Sequence, residues 1–245
     1  MRQLISSFNE ETLEIKAGGS PFAPSKNFIK VRNRLWDSLK ESSSKGKFKF
    51  WNGSIYRLSK IIRRKKKNVI YINTIDFKTH HATAYCTDTL KTTPLFKRPN
   101  GMYVGGYIET SDEKLVFGQK AQGTMASKEI NFIGGSLNKN EMKITSTEDL
   151  FNYFVKEFEE ELGLSKKSIR KLKGLGIFVS DNFRIAVVFL CYLNLAQKEV
   201  LNNSSLNFEN KKLIFFSKDE LSKSINNPKI NPNIQGTFGY VYNYL

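Results

Sequence analysis

The chain has 245 residues, of which 40% are hydrophobic and 13% aromatic, and its formal net charge is +16. This composition is typical of a globular protein that buries one core together with a small additional subdomain. No apolar run approaches the roughly 18 residues that a membrane span requires, and residues 1–19 lack the basic-then-apolar pattern of a signal peptide. We therefore expect a cytoplasmic protein with no membrane segment.

The net charge raises the question of nucleic-acid binding, because a basic surface attracts phosphate polymers. The lysines are scattered along the sequence and do not form one stripe with interleaved aromatic residues. Nucleic acid is therefore a partner that we do not favour. The basic run 62–67 predicts either a phosphate-binding tip or a solvated hairpin turn, and the turn is favoured because charge runs are usually loops.

Residues 1–98 predict an N-terminal arm, one helix and a small antiparallel β subdomain. Residues 1–24 are polar and predict a loosely ordered arm or an edge strand. Ser25 is a candidate cap for a helix over 26–40 with its apolar residues on one face. Alternating and β-branched residues between 48 and 89 predict three antiparallel strands, and the proline-containing stretch 92–101 predicts a linker.

The sequence has no cluster of histidine and cysteine that would complete a zinc site. His80 and His81 are the only histidines, and adjacent residues of a strand point to opposite sides, so structural or surface roles are expected for them. Cys86 and Cys191 are far apart in the sequence and are expected to be reduced core residues.

Residues 99–245 predict a mixed sheet with helices on both faces. A hairpin is predicted over 102–121, a strand ending in a glycine pair over 130–137, and a central strand in the apolar run 184–195. A further strand and a short helix capped by Ser217 follow over 211–225, and a last helix begins near Pro232. This order of elements predicts an α/β/α sandwich with a mixed β-sheet, preceded by the N-terminal subdomain.

The segment 148–164 combines an amphipathic helix with a cluster of carboxylates. Glu157, Glu160 and Glu161 fall on one side of the helix, beside an apolar stripe, and Gly163 ends it. Like charges at this spacing repel one another, so a purely structural helix gains nothing from them. A divalent cation such as Mg²⁺, which prefers carboxylate and phosphate oxygens, would account for the cluster. A solvated acidic face is the alternative that these residues alone leave open.

The same segment resembles the signature of the Nudix hydrolase family, G-x5-E-x7-R-E-U-x-E-E-x-G-U, in which U is a bulky apolar residue. Residues 148–164 match this signature in register, with Lys156 in place of the arginine. Gly135 matches the leading glycine, but twelve residues separate it from Glu148 instead of five. We therefore expect the loop between the glycine and the helix to be seven residues longer than in the family signature. Lysine keeps the charge of arginine but not its planar, two-pronged pairing.

The resemblance implies that one group of residues binds Mg²⁺, or Mn²⁺ as an alternative, and carries the catalysis: Glu157, Glu160 and Glu161, with the carbonyl of Gly134 as a further metal ligand. It implies structural roles for Gly135, Glu148, Lys156 and Gly163, with Glu148 orienting the helix through Lys156. Gln119 and Lys120 stand where basic side chains of the family commonly approach the substrate. Ordinary exposed strand residues are the alternative for these two positions.

The family hydrolyses nucleoside diphosphates that are linked to another moiety. The layout of residues 26–245 resembles the branch that cleaves UDP-glucose and UDP-galactose, which implies a UDP-sugar split into a nucleoside monophosphate and a sugar phosphate. The alternatives are hydrolysis of an RNA cap or nucleic-acid end, and a catalytically silent module that only binds nucleotide. The sequence does not indicate the leaving group, the number of metal ions, the general base or the oligomeric state.

Overall fold

The protein is described here by a computed structural model over residues 1–44, 52–122 and 128–245. Its strands are β1 (Arg2–Ile5), β2 (Leu13–Ala17), β3 (Ser54–Arg63), β4 (Asn68–Asp76), β5 (Met102–Glu109), β6 (Leu115–Lys120), β7 (Ile130–Asn131), β8 (Ile169–Val179), β9 (Ile185–Leu193) and β10 (Asn210–Phe216). Its α-helices are α1 (Lys26–Ser44), α2 (Phe77–Thr83), α3 (Thr87–Leu90), α4 (Thr147–Leu162), α5 (Gln197–Asn203), α6 (Lys218–Ser224) and α7 (Pro232–Val241).

The larger sheet of the described residues has the order β1-β8-β9-β5-β6-β10, with β7 paired to β6. β5 and β9 are parallel, whereas β8 and β9, β5 and β6, and β6 and β10 are antiparallel. The sheet is therefore mixed, as expected. β9 lies inside this sheet and eight of its nine residues are buried, as is typical of a strand covered on both faces.

Helices cover both faces of this sheet. On one face, Phe154 and Phe158 of α4 join a core with Val187 and Phe189 of β9. On the other face, a second core holds residues of α6 and α7 against alternate residues of β9: Leu221, Ile234, Phe238, Val241, Val188 and Leu190. Alternation along β9 thus sends successive side chains to opposite cores. This arrangement is the predicted α/β/α sandwich.

The N-terminal sheet differs from its prediction in one strand. β3 and β4 form the predicted antiparallel pair, with an exposed turn at residues 64–66 that agrees with the favoured interpretation of the basic run. Residues 48–51 of the first predicted strand lie outside the described residues. The parallel neighbour of β4 is β2, from the polar N-terminal arm, so the small sheet is mixed.

The third predicted strand is wrong, because residues 77–90 form the helices α2 and α3. The Asp76 side chain accepts a hydrogen bond from the Thr79 backbone N–H at 2.9 Å and caps α2. His80 and His81 are therefore neighbours on a helix, and both are buried, at 4% and 6% exposure. The surface role expected for them is excluded. The sequence Asp-Phe-Lys-Thr favours a helix cap at Asp76, whereas the β-branched residues of this segment favour a strand.

Most other elements agree with the sequence. Ser25 Oγ accepts from the Phe28 N–H at 3.2 Å at the start of α1, which extends past the predicted end at residue 40. Both cysteines are free and buried. β1 pairs with β8 of the larger sheet, and the boundary near residue 98 stays a prediction. No helix in the described part of the chain combines the length and apolarity that crossing a bilayer requires.

Candidate active site on helix α4

Helix α4 is fixed at both ends by its own sequence. Ser146 Oγ accepts from the Asp149 N–H at 3.1 Å, and the Asp149 carboxylate accepts from the Ser146 N–H at 2.9 Å, which forms a capping box. Gly163 ends the helix in the left-handed conformation, with φ of 67°. The helix therefore spans the residues that carry the predicted acidic cluster, in the predicted register.

The loop over residues 132–138, called the GG loop here, runs beside β5. The Val104 N–H donates to the Gly135 carbonyl at 2.9 Å, and the Leu137 N–H donates to the Met102 carbonyl at 3.0 Å. Gly134 has φ of 144°, and a Cβ there would lie 2.2 Å from the Val104 carbonyl oxygen. Only glycine permits this close approach of the two backbones.

Glu157 places its carboxylate against the GG loop. A Cβ at Gly135 would lie 2.6 Å from Glu157 Oε2, so the glycine leaves the room that the carboxylate occupies. Glu157 is 9% exposed, and the cation beside it, Lys156 Nζ, is 3.9 Å away. Burial raises the pKa of Glu157 to about 8, against the opposing charge of Lys156. This carboxylate is thus enclosed, and its contact with Lys156 is longer than those that Lys156 makes with Glu141 and Glu160.

Lys156 pairs with Glu141, which corrects the role predicted for Glu148. Lys156 Nζ lies 3.0 Å from Glu141 and 2.8 Å from Glu160, whereas Glu148 is exposed and is not among the contacts of Lys156 in the described residues. Glu141 also accepts hydrogen bonds from Asn138 and Tyr153. Glu141, which lies between the GG loop and α4 in the chain, therefore links Asn138 of the loop to Lys156 of the helix.

Glu141 could have been found from the signature itself. Five residues separate Gly135 from Glu141, which is the spacing G-x5-E of the family pattern. The seven extra residues therefore lie between Glu141 and the helix, not between Gly135 and the glutamate. The spacing of seven residues before Lys156 points to Glu148, whereas the spacing of five residues after Gly135 points to Glu141, the residue that pairs with Lys156 in the structure.

Glu161 faces a different environment from Glu157. It is 2% exposed, and it accepts from Lys120 Nζ at 3.0 Å and from Asn210 Nδ2 at 2.9 Å. Lys120 Nζ also lies 3.0 Å from Glu209. Burial alone would lower the pKa of Lys120, but the charges of Glu161 and Glu209 outweigh burial and raise it. Lys120 is thus a buried counter-ion.

The two predicted substrate-binding residues are placed differently. The ammonium of Lys120 is already held by two carboxylates, so it reaches a substrate only by giving them up. Gln119 is partly exposed and its amide donates to the Lys128 carbonyl at 3.4 Å. Glu209 and Asn210 were missed by sequence reasoning, since they approach α4 only because β10 pairs with β6 with Asn210 opposite Lys120.

The described residues contain no ready-made group of three His, Cys, Asp or Glu side chains around one point. The glutamates diverge: Glu157 faces the GG loop, Glu161 faces Lys120, and the Glu160 side chain is 55% exposed. A divalent cation nevertheless fits on the GG-loop side, because the enclosed Glu157 carboxylate has its lysine only at 3.9 Å and stands within a turn of Glu160. On the other side, Lys120 already supplies the positive charge.

No family model matches the sequence, and no curated protein matches it. Solved structures overlap with part of the chain. A MutT protein from Methanosarcina mazei Go1 is 12% identical, with a TM-score of 0.40, over 58% of this chain and 92% of that one. A Nudix hydrolase from M. smegmatis, RenU, is 8% identical, with a TM-score of 0.38, over 58% and 80%. An Ap4A hydrolase from C. elegans is 12% identical, with a TM-score of 0.36, over 49% and 83%.

Proposed function

We propose that this chain is a divalent-metal-dependent hydrolase that cleaves the diphosphate of a nucleoside diphosphate linked to a second moiety. The observation that carries the proposal is the Glu157 carboxylate, 9% exposed and pressed against Gly135 of the GG loop. A buried carboxylate whose cation is as far away as 3.9 Å is only weakly compensated for the cost of losing water. A cation bound there would remove that cost and, by its remaining coordination positions, would hold phosphate oxygens.

Glu157 and Glu160, with the carbonyl of Gly134, are the proposed ligands of Mg²⁺, or of Mn²⁺ in its place. Glu160 serves as a ligand once Lys156, 2.8 Å away, releases it. Glu161, predicted as a third carboxylate ligand, joins them only if Lys120 moves away from it. A bound Mg²⁺ supplies charge neutralisation for the diphosphate and lowers the pKa of a coordinated water. The exposed position of Glu160 leaves the helix accessible to a substrate from solvent.

Other residues of the site hold the GG loop and α4 in one arrangement. The Tyr153 hydroxyl donates to the Ser136 carbonyl or to Glu141, both at 2.8 Å, and accepts from the Asn138 N–H at 3.0 Å. Lys156 links Glu141 to α4. This network fixes the backbone of the loop relative to the proposed ligands, which is what positioning of a reacting phosphate requires.

The first candidate substrate is a UDP-sugar, since the layout of residues 26–245 resembles the branch that cleaves UDP-glucose and UDP-galactose. The expected products are a nucleoside monophosphate and a sugar phosphate. We test this with a panel of UDP-glucose, UDP-galactose, ADP-ribose, dinucleoside polyphosphates and capped RNA. Product release is measured with Mg²⁺, with Mn²⁺ and with EDTA, and the substrate turned over fastest identifies the branch.

The matched variants for this assay are Glu157→Gln and Glu148→Gln, both on α4. We expect Glu157→Gln to lower turnover by on the order of 100-fold or more, as loss of a preorganised electrostatic group does. Glu148→Gln should leave turnover unchanged, because that side chain is exposed. Wild-type protein that binds nucleotide but hydrolyses no member of the panel would instead establish the catalytically silent module.

A further inference from the structure

One cavity of the structure is lined by residues outside α4. It has a volume of about 760 Å³ and lies between α2, the β8–β9 connection and the start of α7. Its wall includes Ser136, the residue after Gly135 in the GG loop, so it borders the loop that carries the proposed metal ligand Gly134. A volume in this range suits a small organic ligand.

Arg184 of the β8–β9 connection lines this cavity without a counter-charge. Its Nε is shielded from solvent and has no hydrogen-bond partner. Burial lowers the pKa of Arg184, and the ionisable groups that act on it are the phenols of Tyr85 and Tyr103, not a carboxylate. Arg184 is only partly exposed, and removing a charge from water without a partner is unfavourable. The arrangement therefore favours an anion bound to this guanidinium.

Further hydrogen-bonding groups surround Arg184. His81 lines the cavity and is 6% exposed, and its Nδ1 has no partner. Burial and the charge of Arg184 lower the pKa of His81 to about 4, so at neutral pH the ring is uncharged and can donate from one nitrogen. The Tyr103 hydroxyl is likewise buried and unpartnered, but Tyr103 does not line the cavity. His81 is therefore a hydrogen-bonding group that accompanies Arg184 in this wall.

The opposite wall is the beginning of α7. Pro232, Asn233 and Gln235 line the cavity, which places the N-terminal, positive end of a ten-residue helix there. Two carboxylates also belong to the lining, and each has a partner other than Arg184. Asp181 pairs with the Met1 amino group at 3.3 Å, and Glu129 accepts from Asn231 at 2.9 Å. Neither neutralises Arg184.

We propose that this cavity binds a phosphoryl group through the Arg184 guanidinium, with His81 as an additional donor. A guanidinium matches phosphate oxygens with two parallel hydrogen bonds. The phosphoryl group belongs to the substrate cleaved at α4, because the cavity and the proposed metal site share the GG loop. This last assignment rests on the proposed function, whereas the anion site does not.

The test measures binding by calorimetry in EDTA, so that no metal contributes. The probes are inorganic pyrophosphate, UMP and glucose 1-phosphate, each added to the whole chain. We expect at least one of them to bind, and Arg184→Met to weaken that binding at least tenfold. Arg170→Met, at an exposed arginine of β8, is the matched control and should bind as the wild type does. Preference for UMP or for glucose 1-phosphate tells which half of the substrate the cavity takes.

Stability of the variants separates a ligand site from a structural arginine. Ligand-free Arg184→Met should unfold at the wild-type temperature or above, since the substitution removes a partly buried charge on which no carboxylate acts, and pyrophosphate should no longer stabilise it. The proposal is overturned if no probe binds, or if Arg184→Met binds as tightly as the wild type. Anion binding in EDTA without hydrolysis in Mg²⁺ would overturn the proposed activity and leave the anion site standing.

Discussion

Glu157 and Glu161 stand one turn apart on the same helix, are both nearly inaccessible to solvent, and have opposite surroundings. Glu161 has a lysine and an amide within 3.0 Å, whereas Glu157 has a glycine backbone and a lysine at 3.9 Å. The difference shows that a cluster of acidic residues in a sequence is not one site. Glu161 is paired with an internal lysine at 3.0 Å, whereas the lysine beside Glu157 is 3.9 Å away, which is why we propose Glu157 as the ligand.

The largest effect expected from this comparison is that of Lys120→Met. The change leaves the Glu161 carboxylate buried without its partner, which typically costs about 3–5 kcal/mol of the free energy of unfolding. Urea unfolding measures this loss, with Lys171→Met at an exposed position as the control. Adding Glu161→Gln to Lys120→Met should recover part of the stability. A loss below about 1 kcal/mol would mean that the pair contributes no more than a surface ion pair.

The pH dependence of Glu157→Gln gives the next largest effect. The pKa of Glu157 is about 8 in the folded chain and 4.5 in the unfolded chain. Between these values the unfolded state loses its proton first, so the wild type is destabilised as the pH rises. Relative to Glu157→Gln, the metal-free wild type should lose about 3 kcal/mol between pH 5 and pH 8.

Urea unfolding at both pH values in EDTA measures that loss, and Glu148→Gln serves as the control on the same helix. Mg²⁺ should restore stability to the wild type at pH 8 and should not stabilise Glu157→Gln to the same extent. If the difference in the free energy of unfolding between the wild type and Glu157→Gln stays constant from pH 5 to pH 8, the folded chain does not raise the pKa of Glu157.

The smallest of the three effects is expected for Glu141, which shares Lys156 with Glu160. Glu141→Gln weakens the hydrogen bonds from Asn138, Tyr153 and Lys156 and should cost about 1–2 kcal/mol of the free energy of unfolding, since charged acceptors are the stronger ones. Glu148→Gln should cost less than about 0.5 kcal/mol, as exposed substitutions do. Equal losses in the two variants would restore Glu148 as the bracing residue.

The predicted elements succeeded where the signal is local and failed where two local signals compete. Helix α4 follows from its apolar stripe, its serine cap and Gly163, and the structure keeps this register. The segment after β4 has β-branched residues that favour a strand and an aspartate cap that favours a helix. Packing of α2 against α1, through a cluster that contains Phe28 and Ala82, accompanies the helical outcome.

The sequence by itself determined the α/β/α order of elements, the helix that carries the glutamates and the glycine pair before it, because these depend on periodicity and on residues a few positions apart. Only the tertiary structure decided which glutamate has a counter-ion, since Lys120 lies 41 residues and Asn210 49 residues from Glu161. The same holds for the surroundings of Arg184. The solvation and pairing of a charged side chain depend on every neighbouring residue, and these neighbours come from strands and helices that are distant in sequence.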